Sequence, residues 1–246
     1  INAPTLAYLM EQYPNLKLLS LENVEMDENH CRVLGDYSRP DLEIILIMCK
    51  LTSAGGSALA KILGRNQGPT ELQGCFIDYS VIVDGLHGNS RLKSLTPINS
   101  GSPEDINREV LAIAGTLKEN KSLVVFDLSY CLLSEQTWDT VCDSLKTHPT
   151  LQYLSLRQYH STLTGIRPLG VGPLTLAVLK SRIQALVDML KVNMSIHTIC
   201  LPNCYYLEYE LLRGPIIPYL ETNRLRSRVR AIQKTRPIEY RAKVLG

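Results

Sequence analysis

Apolar residues alternate along several short segments of this chain, and the alternation recurs in one form. The segments LVVFDLSYCLL and IHTICLPNC both follow the pattern L-x-x-L-x-L-x-x-C/N-x-L. A strand points successive side chains to opposite faces, so positions 4 and 6 of the pattern face the same side. Each segment therefore predicts a short strand with one buried face. The residues that fill the two copies are Leu123, Phe126, Leu128, Cys131 and Leu133, then Ile196, Ile199, Leu201 and Cys204.

The pattern repeats along most of the chain, and helical spacing separates its copies. Its first position falls near residues 16, 41, 72, 92, 123, 151 and 196, and the copies near 72 and 92 are degenerate. Between copies the apolar spacing becomes that of an amphipathic helix, as where Leu59, Ile62 and Leu63 share one face of the segment 54–63. The predicted unit is therefore strand, turn, helix, turn.

This unit is similar to a leucine-rich repeat, and the segment LTSAGGSALAKIL at residues 51–63 resembles the linking phrase of the ribonuclease-inhibitor-like class. The resemblance covers residues 16–223. It implies an α/β fold, a curved leucine-rich repeat solenoid (horseshoe) with a parallel β-sheet on the concave face and α-helices on the convex face. We assign residues 1–223 to this repeat domain and residues 224–246 to a basic C-terminal capping helix or linker.

One step of the repeat is longer than the others. Position 1 moves 45 residues from Leu151 to Ile196, against 28 from Leu123 to Leu151. The excess predicts an insertion near residues 159–175, whose glycines and prolines oppose both helix and strand. Such an insertion is either a functional loop on a rigid scaffold or a surface excursion.

The seven cysteines follow the repeat and do not suggest a disulfide framework. Cys49, Cys131 and Cys204 occupy position 9, which requires a small side chain that tolerates burial. This placement predicts reduced thiols and a cytoplasmic or otherwise intracellular protein. The cluster of His197, Cys200 and Cys204 is not expected to bind a metal, because Cys200 and Cys204 would point to opposite sides of the strand.

The sequence contains no pattern that indicates catalysis or a membrane span. Its glycine-rich segments lack the lysine of a phosphate-binding loop, and nothing places a catalytic triad. No apolar run is long enough to cross a bilayer. We therefore expect no cofactor, no transmembrane segment and no enzyme activity.

The C-terminal residues differ from the rest in charge. From residue 224 onward there are eight Lys or Arg residues and one Glu, a net charge of +7, which leaves −5 for residues 1–223. Leu225, Val229 and Ile232 have helical spacing and are expected to pack on the last repeat as a cap. The alternative is a patch that binds nucleic acid, an anionic membrane or an acidic protein. The arginines of this candidate patch are Arg224, Arg226, Arg228 and Arg230.

The fold predicts a protein-protein interaction module whose partner binds the concave strand face. Pattern positions 3, 5, 7 and 8 point outward there, and Tyr and Arg are the residue types most enriched in binding hot spots. The predicted anchors are therefore Tyr130, Tyr153 and Arg157. Asp127 and Glu22 complete the candidate site.

Two other functions remain open for this repeat class. The first is a GTPase-activating or other regulatory protein, which would need an arginine on an exposed loop and an acidic tail. The basic tail of this chain argues against that function. The second is the sensor domain of a larger signalling protein. In each case the partner is another protein of unknown identity.

Overall fold

The computed structural model describes residues 1–98, 102–156, 176–201 and 214–235. Within these ranges, eight helices alternate with nine strands. The helices are α1 (Ala3–Gln12), α2 (Glu28–Asp36), α3 (Ser53–Gly64), α4 (Tyr79–Leu86), α5 (Pro103–Leu117), α6 (Glu135–Leu145), α7 (Leu176–Val192) and α8 (Ile217–Thr235). The strands are β1 (Leu18–Glu22), β2 (Glu25–Met26), β3 (Glu43–Ile47), β4 (Lys50–Leu51), β5 (Glu71–Phe76), β6 (Ser94–Ile98), β7 (Val125–Asp127), β8 (Tyr153–Ser155) and β9 (Thr198–Cys200).

The strands form one parallel sheet in which the main strand of each repeat lies beside that of the preceding repeat. Their order is β1-β3-β5-β6-β7-β8-β9, and the two-residue strands β2 and β4 pair alongside. Strands β5 and β6 lie at the two degenerate copies of the pattern. Phe126 pairs with Leu95 and Leu154, and all three are buried. Stacked inward positions therefore build the core, which confirms the predicted α/β class and the parallel sheet.

The helices form a layer in which each helix contacts the next, from α1 to α8. The helix predicted at residues 54–63 is α3, and its Leu59, Ile62 and Leu63 are buried. The hydroxyl of Thr52 caps this helix by accepting the N–H of Gly55 at 3.0 Å. Helix and strand each bury one side, so the core lies between the helix layer and the sheet.

Cys49 and Cys131, two of the cysteines predicted at position 9, are buried and bond to the preceding repeat, and Cys75 makes an equivalent bond. Six cysteines lie in the described part of the chain, and all six are free thiols. A thiol fits this position because it is compact and still a weak donor. Cys204 lies outside the described residues. The bonds run from Cys49 Sγ to Leu21 O at 3.3 Å, from Cys75 Sγ to Leu46 O at 3.4 Å and from Cys131 Sγ to Pro97 O at 3.7 Å.

Replacing Cys131 with serine is expected to lower the free energy of unfolding by about 1–2 kcal/mol. Cys131 is fully enclosed, and burial raises the pKa of its thiol to about 12. A serine hydroxyl sits on a shorter bond than a thiol, so its oxygen would lie farther from Pro97 O. Denaturant titration measures the change, with Cys200→Ser at a half-buried thiol as the control. An unchanged unfolding midpoint for Cys131→Ser would contradict the prediction.

A second set of bonds between repeats runs through polar side chains just after the ends of α4 to α7 and at an equivalent position within α8. Asn120 Nδ2 donates to Leu86 O at 3.0 Å and to Asn89 O at 3.2 Å. Its Oδ1 accepts the N–H groups of Ser122 and Leu123, each at 3.0 Å. This buried amide therefore satisfies carbonyls of one repeat and N–H groups of the next. We call the equivalent residues the asparagine row: Asn89, Asn120, His148, Asn193 and Asn223.

His148 is the member of the asparagine row that is not an asparagine. Its Nδ1 accepts the N–H of Leu151 at 3.1 Å, as Asn120 Oδ1 does for Leu123. Its Nε2 is buried and has no hydrogen-bond partner among the described residues. Burial lowers the pKa of this imidazole to about 4, so the ring is neutral at pH 7.

Helix α8 begins like the helix of another repeat and then continues past the asparagine row. Asn223 Nδ2 donates to Asn193 O at 2.9 Å and to Ile196 O at 2.8 Å, which fixes the rotation of the helix about its axis. In the earlier repeats the helix ends before the residue of the asparagine row, and a strand follows. Here the chain stays helical to Thr235.

The prediction that Leu225 and Val229 pack on the last repeat is wrong. Their side chains are 60% and 38% exposed. They lie two and six residues after Asn223, and at about 100° per residue both fall on the side of α8 opposite the buried amide. The helix instead packs through Tyr219, Leu220 and Asn223. The side chain of Ile232 is outside the described residues.

Candidate protein-binding surface

The outward face of the sheet is built from the strand residues that alternate with the core. In β1, Leu21 is buried whereas Leu18, Ser20 and Glu22 are exposed. The strand pairs link the outward positions of successive strands from β1 to β9, with one register shift between Gln73 and Phe76 of β5 where it pairs with β6. The helices pack on the other face, so the described residues leave this face as one continuous surface across seven strands.

Two of the predicted site residues lie close together on adjacent strands. Asp127 of β7 pairs with Ser155 of β8, and Tyr153 lies two residues before Ser155 on the same face. The Tyr153 hydroxyl lies 3.0 Å from Cys200 Sγ on β9. This hydrogen bond to Cys200 raises the pKa of Tyr153 above its ordinary value. Its ring is therefore held across β8 and β9.

Asp127 shapes the turn that carries Tyr130. Its carboxylate accepts the N–H of Ser129 at 2.9 Å and also the Ser129 hydroxyl. Ser129 Oγ in turn lies 2.6 Å from Ser155 Oγ. Tyr130 follows this network with 38% of its surface exposed. The carboxylate predicted to contact a partner is thus also the group that orders the turn beneath Tyr130.

The other two predicted site residues do not join this group. Glu22 is exposed on β1, and the sheet order puts four strand spacings between β1 and β7. At about 4.8 Å per spacing, Glu22 lies roughly 19 Å from Asp127 across the sheet. Arg157 lies outside the described residues. Of the predicted site residues, Asp127 and Tyr153 therefore lie on adjacent strands and Tyr130 follows in the turn after β7, whereas Glu22 is distant.

The end of the sheet face near β1 is acidic, which the prediction of Glu22 alone did not indicate. Glu22, Glu43 and Glu71 place three carboxylates on β1, β3 and β5. Leu18 is 51% exposed and pairs directly with Glu43. This end of the face is acidic with an exposed leucine, whereas the tyrosines lie toward β8.

The four arginines of the C-terminal patch are exposed on α8. Arg226 approaches Asn223 Oδ1 at 3.5 Å, and none of the four forms an ion pair with a described residue. Within the described ranges, no group of three or more His, Cys, Asp or Glu residues could hold a metal ion. In the same ranges, no helix is both long and apolar enough to cross a membrane.

Comparisons with known proteins match this chain at the level of fold. No protein-family model matches it, and no curated protein sequence matches it significantly. A solved structure described as "Leiomodin-1 Actin-Binding Site 2 (ABS2)" is 16% identical, with a TM-score of 0.52 over 71% of this chain and 92% of that chain. A tropomodulin C-terminal domain from Caenorhabditis elegans is 11% identical, with a TM-score of 0.43 over 95% and 99% of the two chains. The likeness to the leiomodin-1 domain, together with the repeated strand and helix units, shows that the chain has a fold of the leucine-rich-repeat type.

Proposed function

We propose that this chain is a protein-binding module that holds its partner on the outward face of the parallel sheet. The observation that carries the proposal is that Asp127 and Tyr153 lie on the same face of adjacent strands. The exposed Tyr130 follows β7 in the turn that Asp127, Ser129 and Ser155 order. Aromatic side chains held in this way lose little conformational entropy on binding.

The finer features of the proposal follow from the repeat. Successive repeats with helices on one face and strands on the other would curve with the sheet inside, as in the ribonuclease-inhibitor-like class. We propose this curved form, an intracellular location in keeping with the free thiols, and binding without catalysis. A GTPase-activating or other regulatory protein and a sensor domain remain alternative uses of the same surface.

Actin is the first partner to test, because the leiomodin-1 domain with this fold is described as an actin-binding site. Co-sedimentation with actin filaments and size-exclusion chromatography with monomeric actin give a direct answer. If neither form binds, affinity purification with cross-linking mass spectrometry identifies the partner without a prior choice. Cross-links from the outward sheet face would support the proposal, and cross-links confined to the helix layer would contradict it.

The double substitution Tyr130→Ala and Tyr153→Ala is expected to weaken binding of that partner at least about tenfold, because each ring would contribute as a hot spot. The matched control is Tyr8→Ala with Tyr13→Ala, which removes two tyrosines that are each 60% exposed near α1. Calorimetry measures the affinity of each variant for the partner, and thermal unfolding checks that both variants are folded. Equal affinities for the wild-type protein and the sheet-face variant would refute the proposed surface.

A further inference from the structure

A groove of about 410 Å³ lies between helix α8 and the starts of strands β6 to β9. We call it the α8 groove. Lys121, Pro149 and Met194 line it, and each directly follows a member of the asparagine row. Residues of α8 form the opposite wall. Its size is within the usual range for ligand-binding clefts.

The groove exists because α8 departs from the repeat. In the preceding repeats the chain turns into a strand after the asparagine row, but α8 stays helical after Asn223. Ser227, Arg230 and Ala231 lie four, seven and eight residues after Asn223, so they share its side of the helix. They therefore face the strand starts across the groove.

The charged groups of the groove are all basic. Lys93, Lys121 and Arg230 line it, and no carboxylate does so among the described residues. Lys121 and Arg230 form no ion pair with a described residue, and Lys93 Nζ bonds only the carbonyl of Ser90 at 2.9 Å within the same part of the chain. All three cations therefore keep a net charge for a ligand to neutralise.

Three of the four hydroxyl groups that line the groove, all except that of Ser227, donate hydrogen bonds to main-chain carbonyls. Ser122 Oγ donates to Leu92 O at 2.9 Å, and Ser195 Oγ donates to His148 O at 2.8 Å. Thr150 Oγ1 likewise donates to Leu123 O at 2.9 Å. These bonds fix the floor of the groove, so a ligand must be recognised mainly by the cations. A ligand with several negative charges matches this arrangement.

We propose that the α8 groove binds an acidic peptide segment of a partner protein. Among the described residues no aromatic side chain lines the groove, so these residues offer no platform for stacking the bases of a single-stranded nucleic acid. It is bounded by α8 on one side and by strand starts on the other, which suits an extended chain carrying carboxylates. The proposal adds a second contact to the proposed binding function and uses residues separate from Tyr130 and Tyr153.

The test measures binding of fluorescein-labelled decaglutamate by anisotropy at low ionic strength, where the attraction is least screened. The variant Lys121→Glu with Arg230→Glu reverses two charges in the groove. The matched control, Arg224→Glu with Arg228→Glu, makes the same charge change on the same helix at two exposed arginines that do not line the groove. Decaglutamine serves as the uncharged peptide.

The groove variant is expected to bind decaglutamate at least about tenfold more weakly than the wild-type protein, and the control variant less than about threefold more weakly. Equal losses in the two variants would show a non-specific charge effect and overturn the proposal. Absence of decaglutamate binding by the wild-type protein would also overturn it. A single-stranded oligonucleotide of equal charge could also bind more tightly than decaglutamate and lose that binding in the groove variant. That result would show that the groove binds nucleic acid and would overturn the proposal of an acidic peptide. None of these outcomes depends on Tyr130 or Tyr153, so failure here is distinguishable from failure of the proposed sheet surface.

Discussion

Replacing His148 with asparagine is expected to stabilise the protein by about 1 kcal/mol at pH 8 and by about 3 kcal/mol at pH 5. His148 accepts one hydrogen bond through Nδ1, so the neutral ring carries its proton on Nε2, where no described residue accepts it. An unpaired buried donor costs about 1–3 kcal/mol. An asparagine amide at this position would reach the carbonyls of the preceding repeat, as Asn120 does.

The pH dependence follows from the lowered pKa. Burial moves the pKa of His148 from 6.5 to about 4 in the folded protein. Between these values the unfolded chain binds a proton that the folded protein does not, so acid favours unfolding. The contribution of His148 to the free energy of unfolding is complete above about pH 6.5. It falls by roughly 2 kcal/mol by pH 5 and levels off below pH 4. Asparagine does not titrate, so the variant loses this part of the acid sensitivity.

Urea denaturation of both proteins across pH 4–8 measures the effect as the difference in unfolding free energy. The control is His87→Asn, at an exposed histidine that pairs with Glu119 at 2.7 Å, where we expect a change within about 0.5 kcal/mol. A difference between wild type and His148→Asn that is the same at pH 5 and pH 8 would show that His148 is not held neutral by the fold.

Replacing Gly85 with alanine is expected to cost about 3 kcal/mol, because α3 and α4 pack backbone against backbone at this residue. A Cβ atom on Gly85 would lie 2.3 Å from Ala60 O and 3.0 Å from Ala60 Cα. These are main-chain atoms and cannot rotate away, so the two helices would have to separate. The higher helix propensity of alanine, about 1 kcal/mol, offsets only part of this cost.

The matched control is Gly115→Ala on α5, where a Cβ atom would meet nothing within 4 Å. The chemical change is identical, so effects on the unfolded chain largely cancel between the two variants. We expect Gly115→Ala to raise the free energy of unfolding by about 0.5–1 kcal/mol. Thermal and denaturant unfolding give both values. Similar stabilisation in the two variants would mean that α3 and α4 do not approach as closely as described.

The sequence could predict only that part of the candidate surface that depends on the alternation of side chains within a strand. The period-two pattern placed Asp127 and Tyr153 on one face of adjacent strands, because alternation within a strand is a property of the backbone. It gave no sign that the Asp127 carboxylate binds Ser129, since that contact depends on the path of the turn.

The α8 groove was not predicted from the sequence. Lys93 and Lys121 are 28 residues apart, and Arg230 is 109 residues beyond Lys121. The signal that could have indicated it is the spacing Leu-x-x-Asn, which recurs at the ends of α4, α5 and α7 and again at residues 220–223 inside α8. Continuing that register into α8 would have put Leu225 and Val229 on its exposed side.

The sequence by itself determined the repeated unit, the parallel sheet and the burial of Cys49 and Cys131, because each depends on which side chains a short segment can bury. Only the tertiary structure showed the contacts between units. Arg182 is buried with its guanidinium 4.9 Å from the Trp138 ring, and Trp138 Nε1 donates to Arg182 O at 3.0 Å. Forty-four residues separate this pair, and the sequence pattern gives no reason to bury an arginine there. Burial of such a group, like the rotation of α8, is set by how neighbouring repeats pack, and packing depends on the distances between whole elements.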